Sequence, residues 1–176
     1  MSTEGSHTGL VVAFSSPAGG EVRVEWDGAA LARHDRGDAG ADGLWRLAGE
    51  LDWDEVDALR VISGRVDDGR LIAIAALRPR DAAGHGEEAV GGAIVVDDAA
   101  EELAEVLVST EYAGDAEVRR IGLELYRDDG MPLRVAADAT EALVEVEGGV
   151  RRQRVELDLR LAGSPGAGVL DVLTRA

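Results

Sequence analysis

The segment that most constrains the fold is Val61 to Arg80, in which two apolar runs flank Asp67-Asp68-Gly69. An Asp-Gly pair supplies the positive φ angles that a tight hairpin turn requires. The two runs are therefore predicted to pair as antiparallel strands. The second run, Leu71 to Leu77, is apolar on both faces. This pattern predicts a strand covered on both sides, with one face toward a cavity and the other toward a partner or a helix.

The same combination of short alternating runs and turn residues recurs along the chain. Glu21 to Trp26 alternates between polar and apolar residues before Asp27-Gly28, and later runs are separated by Asp128-Asp129-Gly130 and Gly148-Gly149. Short strands at intervals of about 8 to 12 residues, with turns between them, are typical of sandwiches and barrels. We therefore predict an all-β fold, an antiparallel lipocalin-like barrel or sandwich of about nine or ten strands in a meander.

Several segments are less regular. Ala29 to Gly43 has no periodicity and is predicted to be a loop, whereas Leu103 to Tyr112 favours a strand over a helix turn. Val169 to Leu173 is compatible with a last strand or a short helix. Met1 to Thr8 is polar and is predicted to be disordered, so that residues 9–176 form one lipocalin-like β domain.

Charge and composition exclude several classes of function. The formal net charge is -17, from 35 acidic and 18 basic residues, and a surface of this sign repels nucleic acid and anionic membranes. The chain has no cysteine, which excludes disulfides and zinc–thiolate sites. It also lacks a secretory leader pattern and any apolar run near the ~18 residues that a membrane span requires. We expect a cytoplasmic protein that uses no cofactor, because phosphate-loop and dinucleotide-binding motifs are absent.

The densest polar segment of the sequence is Arg33 to Asp38. Histidine is the residue type best suited to proton transfer near neutral pH, and Asp35 directly follows His34, so this pair is the candidate for acid–base catalysis, with Arg36 as a ligand-binding residue. Adjacent residues of a strand point to opposite faces, however, so contiguity does not place both side chains in one pocket. The alternative is a salt-bridged connection between strands.

The few aromatic residues are candidates for lining a ligand cavity, because they offer apolar area with few rotatable bonds. The alternative is that they fill the core. A metal site is not predicted, because His85 has no second histidine nearby and Asp35, Asp38 and Asp42 lack the spacing of a calcium loop. The candidate ligand-binding aromatics are Trp26, Trp45, Trp53, Tyr112 and Tyr126.

Six segments resemble, in sequence and order, one lipocalin-like domain of the carotenoid 1,2-hydratase superfamily. They are GEVRVEWDG from Gly20, RHDRG from Arg33, ALRPR from Ala76, GGAIV from Gly91, GLELYRDDGMPLRV from Gly122 and GSPGAGVLDVL from Gly163. The resemblance implies an antiparallel barrel of a kind that often occurs in tandem pairs, in proteins that hydrate polyenes or promote polyketide cyclisation. It also implies that Asp35 is the acid that protonates a double bond, although here no tryptophan directly follows the matching segment.

Three hypotheses of function follow. The leading one is a barrel that binds an apolar small molecule, such as a polyene, isoprenoid or polyketide-like compound, and extends to cofactor-free hydration, isomerisation or cyclisation. The second is a non-catalytic interaction module that forms a homodimer, so that two copies imitate a tandem pair. The third is a carrier or sensor that binds its ligand without turnover.

Overall fold

A computed structural model describes residues 10–15, 20–35, 43–81, 88–114 and 117–176. The predicted disordered terminus, Arg36, Asp38, Asp42 and His85 lie outside these ranges. The described residues form one short helix, α1 (Gly28–Ala32), and twelve strands. The strands are β1 (Val11–Ser15), β2 (Glu21–Trp26), β3 (Trp45–Ala48), β4 (Val56–Val66), β5 (Leu71–Pro79), β6 (Ala89–Val96), β7 (Ala99–Glu102), β8 (Glu105–Tyr112), β9 (Val118–Tyr126), β10 (Pro132–Glu147), β11 (Val150–Leu161) and β12 (Ser164–Arg175).

Nine strands form one antiparallel sheet in the order β7-β6-β5-β4-β12-β11-β10-β9-β8. Strands β7 and β8 lie at opposite ends of this order, yet only Leu103 and Ala104 separate them in the chain. A flat sheet of this size would place its edges about 38 Å apart, whereas the link spans at most about 11 Å. The sheet therefore curls into a half-barrel, and the Leu103 N–H donates to the Gly92 carbonyl of β6 at 2.9 Å. This architecture confirms the predicted all-β fold.

The hairpin predicted from Asp67 to Gly69 is β4–β5. Arg65 lies opposite Leu71, and Gly69 has a φ of 99°, which glycine adopts without strain. Both faces of β5 are apolar because both are covered. One face packs inside the half-barrel and the other packs against the small sheet.

The concave side of the curled sheet is a packed apolar core, which we call the concave core. It receives alternate residues from β4 to β6 and from β8 to β12. Its side chains lie against one another across the half-barrel, and three of those that are 0% exposed are Leu125, Val155 and Leu161.

The other side of the sheet is covered over part of its area by the small sheet, whose order is β1-β2-β3. Phe14, Val24 and Leu31 of this layer pack on Leu59 and Val61 of β4, and this second core is called the interlayer core. The helix in this layer was not predicted, since the segment from Ala29 was assigned to a loop. The sequence feature that marks the start of this helix is its N-cap residue, Asp27, whose side chain accepts a hydrogen bond from the Ala30 N–H at 3.1 Å.

Two further expectations are confirmed by the strand boundaries. Leu103 to Tyr112 contains β8, and Val169 to Leu173 lies within β12, so the strand alternative holds. The strand number exceeds the predicted nine or ten partly because β7 carries no alternating pattern. The Asp97-Asp98 turn before β7 has φ angles of 50° and 62°, as a tight hairpin requires. Among the described residues, no helix has the length and apolar character needed to cross a bilayer.

Candidate functional site

The interlayer core contains a group of buried polar side chains where it meets β11 and β12. Asp171 of β12 is 0% exposed. Its carboxylate accepts from Trp45 Nε1 at 2.7 Å, from Arg152 Nε at 3.1 Å and from Arg154 Nε at 3.0 Å. A buried carboxylate requires hydrogen-bond donors of this kind, because burying an unpaired carboxylate costs roughly several kcal/mol. The Arg152 guanidinium also lies 5.5 Å from the centre of the Trp45 ring, within cation–π range.

His34, the predicted acid–base residue, belongs to the same layer. It follows α1, and its Nε2 lies 3.3 Å from Oε1 of Glu156 on β11. The two side chains are 0% and 5% exposed, and among the described residues neither ring nitrogen of His34 has a hydrogen-bond partner. Asp35, in contrast, is exposed. The carboxylate beside His34 is therefore Glu156, which is distant in sequence, and the ring is enclosed by protein.

The backbone of His34 is bound directly to the curled sheet. Arg65 of β4 donates from Nε to the His34 carbonyl at 2.7 Å and from Nη1 to Asp67 at 3.2 Å. This contact joins the end of α1 to the curled sheet. We call His34, Glu156 and the groups around Asp171 the interlayer polar cluster, and its described contacts hold the two layers together.

The structure places the predicted aromatic residues in different environments. Trp26 is buried in the interlayer core and donates from Nε1 to Ser63 Oγ at 2.9 Å. Trp53 is half-buried in a turn, and Tyr112 is 59% exposed at the end of β8. Tyr126 donates its hydroxyl to Glu124 at 3.0 Å. Trp26 and Trp45 thus share a layer with His34, whereas Trp53, Tyr112 and Tyr126 do not lie with them.

A second candidate site lies on the outer face of β8 to β10 and continues to Arg160 of β11, where the small sheet does not cover the strands. Cross-strand pairing aligns Ser109 with Gly122, Gly122 with Ala136, and Ala136 with Arg160. The first three side chains are small, so this row forms a depression across the strands that we call the outer furrow. Gly122 keeps this row shallow, because a Cβ at this position would lie 2.8 Å from Ser109 Oγ and would displace that side chain.

The next row of residues forms one wall of the outer furrow. Leu107 lies opposite Glu124, and Glu124 lies opposite Arg134. The furrow has a volume of about 750 Å³ and is open to solvent. Four strands at a spacing of about 4.8 Å give it a length of about 14 Å. These dimensions suit a small organic molecule, since ligand sites commonly enclose roughly 300–1,000 Å³.

The charges around the furrow are unequally paired. The side chain of Arg160 forms no hydrogen bond or ion pair with another described residue. Arg134 is 78% exposed, and its Nε lies 3.7 Å from Glu124. Glu124 also accepts the hydroxyl of Tyr126, and this hydrogen bond raises the pKa of Tyr126 above its usual value. Arg160 therefore provides a cationic side chain without a described partner at the β11 end of the furrow.

Sequence reasoning missed Glu156, Asp171 and the row that forms the furrow. A signal existed for Asp171, because a lone carboxylate inside the apolar run Gly168 to Leu173 marks a buried charge. Glu156 had no such signal, since it occupies a polar position of an alternating strand. The furrow residues come from four strands, so only the pairing register brings them together.

Comparison with known proteins leaves the family open, because the sequence matches no protein-family model and no curated protein shows significant similarity to it.

Proposed function

We propose that this protein binds a small apolar molecule that carries one acidic group, and that the binding site is the outer furrow. The row of small residues that ends at Arg160 carries the proposal. Ser109, Gly122 and Ala136 offer a shallow floor on which a hydrocarbon chain can lie. Arg160 has an unpaired guanidinium, whose planar group of donors fits a carboxylate.

The furrow is favoured over the concave core by burial. The concave side chains Leu125, Val155 and Leu161 are 0% exposed and pack against one another, whereas the furrow is open. An elongated polyene, isoprenoid or polyketide-like acid of about 14 Å matches its length. The proposal is binding without turnover, as in a carrier, because the enclosed His34 side chain is not accessible to a ligand in the furrow.

Binding of cis-parinaric acid, a fluorescent polyene carboxylic acid, tests the proposal. Fluorescence should rise on addition of the purified protein, and Ala136→Trp should abolish the rise by filling the furrow. Arg160→Gln should weaken binding of the acid about tenfold, as expected for the loss of one charge-assisted contact. The same variant should leave binding of the neutral methyl ester unchanged.

Two matched variants control for indirect effects. Ala142→Trp adds the same side chain to the opposite face of β10, and Arg119→Gln removes an exposed arginine outside the furrow. Both should bind the acid like the parent protein. Undiminished binding by a folded Ala136→Trp variant, or no binding by the parent protein, would reject the furrow as the site.

A further inference from the structure

The C-terminal part of β10 has a neighbouring strand on the β11 side and none described on the β9 side. Its pairing with β11 continues to Glu147, opposite Val150, whereas its pairing with β9 ends at Asp138, opposite Arg120. Within the described ranges, no strand pairs with residues 141–147 on the β9 side. We call these residues the free β10 edge. All of them are exposed, and the backbone groups along an unpaired edge form a template for another strand.

The two faces of the free β10 edge differ in chemistry. Ala142 lies opposite Val155, a residue of the concave core, so alternate residues from Ala142 point to the concave side. That side is apolar, with Val144 52% and Val146 64% exposed. The opposite side is mainly acidic and carries Glu141, Leu143, Glu145 and Glu147.

The carboxylates of this edge have no partner among the described residues. Glu141, Glu145 and Glu147 form no ion pair or side-chain hydrogen bond there. The arginine opposite Glu145 is Arg152, and its Nε binds the Asp171 carboxylate instead. Three carboxylates are therefore available to an incoming strand.

We propose that the free β10 edge binds an extended segment of another protein in which apolar and basic residues alternate. Main-chain hydrogen bonds to an edge strand provide affinity, and alternate side chains provide specificity. Because side chains of a strand alternate between faces, the apolar residues of the segment would cover Val144 and Val146. Its basic residues would lie on the other face, beside Glu141, Glu145 and Glu147.

A second copy of this chain fits the edge less well. Two copies related by a two-fold axis pair in antiparallel registers that are centred on one residue. Registers centred on Leu143, Val144 or Glu145 use at least five of the seven edge residues. Each of them places two glutamates directly opposite one another, and like charges in that arrangement are destabilising. The charge pattern thus selects a basic partner.

Labelled octapeptides and the full chain test this proposal by fluorescence anisotropy. A peptide of alternating valine and arginine should bind roughly tenfold more tightly than a peptide of four valines followed by four arginines, because only the first separates the two side-chain types by face. A peptide of alternating valine and glutamate should not bind. Hydrogen exchange at the amides of residues 141–147 should slow when the first peptide is present.

Charge reversal distinguishes edge binding from general attraction to an acidic protein. The triple variant Glu141→Arg, Glu145→Arg and Glu147→Arg should exchange the preference, so that it binds the glutamate peptide and not the arginine peptide. A control triple variant at other exposed glutamates, Glu21→Arg, Glu50→Arg and Glu55→Arg, should keep the original preference.

Three results would overturn the proposal. The first is equal binding of the alternating and the block peptides. The second is binding without added protection of residues 141–147. The third is concentration-dependent self-association of the unliganded protein that the edge triple variant abolishes, which would make a second copy the occupant.

Discussion

The outer face of the nine-stranded sheet has two halves that share one hydrogen-bonding pattern and differ in what covers them. Over β4 to β6 and β12, the small sheet buries residues such as Leu59, Val61 and Val169. Over β8 to β10 nothing described covers the face, and it carries exposed charges such as Arg120 and Asp138. Polar groups in the covered half are therefore structural, because burial requires partners. In the bare half they are exposed to solvent.

Breaking one ion pair in each half should give the largest difference in stability between the two halves. Asp171→Ala removes the buried carboxylate that accepts from Trp45, Arg152 and Arg154, and we expect a loss of about 3–5 kcal/mol in the free energy of unfolding, measured in urea. The matched change in the bare half is Asp138→Ala, which breaks the exposed Arg120–Asp138 pair of 2.8 Å. Its effect should be small, because solvent and salt screen exposed pairs. Similar losses from the two variants would contradict the comparison.

The pair of His34 and Glu156 allows a second test within the covered half. His34→Leu removes the ring beside a buried carboxylate, and the expected cost is about 1–3 kcal/mol. Replacing both residues by leucine should recover most of this loss, because two apolar groups leave no buried polar group unpaired. Urea unfolding of the two single variants and the double variant completes a double-mutant cycle. Additive losses would show that the two side chains do not interact.

The smallest expected effect is on the titration of Tyr126, which lies in the bare half. The pKa of Tyr126 is raised chiefly by its hydrogen bond to Glu124. The bond stabilises the protonated phenol, so its contribution to stability is present below the pKa of the unfolded chain, about 10. It is lost as the pH rises through the higher pKa of the folded state. In a Tyr112→Phe background, absorbance titration of Tyr126 should shift to lower pH when Glu124→Gln is introduced. An unchanged titration would remove Glu124 as the cause.

The sequence predicted those parts of the fold that depend on local pattern. The Asp67 to Gly69 turn marked the β4–β5 hairpin, and the doubly apolar run from Leu71 indicated a strand covered on both sides. Strict alternation from Glu21 to Trp26 likewise predicted a strand, and these residues form β2. The helix at Gly28–Ala32 was missed because one short turn of helix shows no periodicity.

The sites could be predicted only in part, because they depend on pairing between distant segments. His34 was identified from its residue type, yet Asp35 was chosen as its partner because the two are contiguous. The observed partner, Glu156, reaches it because α1 lies over the curled sheet. The outer furrow depends on the registers that align Gly122 with Ser109 and Ala136, and no single segment encodes that alignment.

The pairing of β4 with β12 has a consequence for how the protein folds. Val169 pairs with Ser63, 106 positions earlier in the chain, at the centre of the sheet. The hairpins from β4 to β7 and from β8 to β12 are local and can form first, whereas closing such a large loop is entropically slow. Until β12 is synthesised and docked, β4 presents an unpaired apolar edge to its surroundings. Aggregation during synthesis should therefore begin at β4, and a chaperone that shields this strand would raise the yield of folded protein.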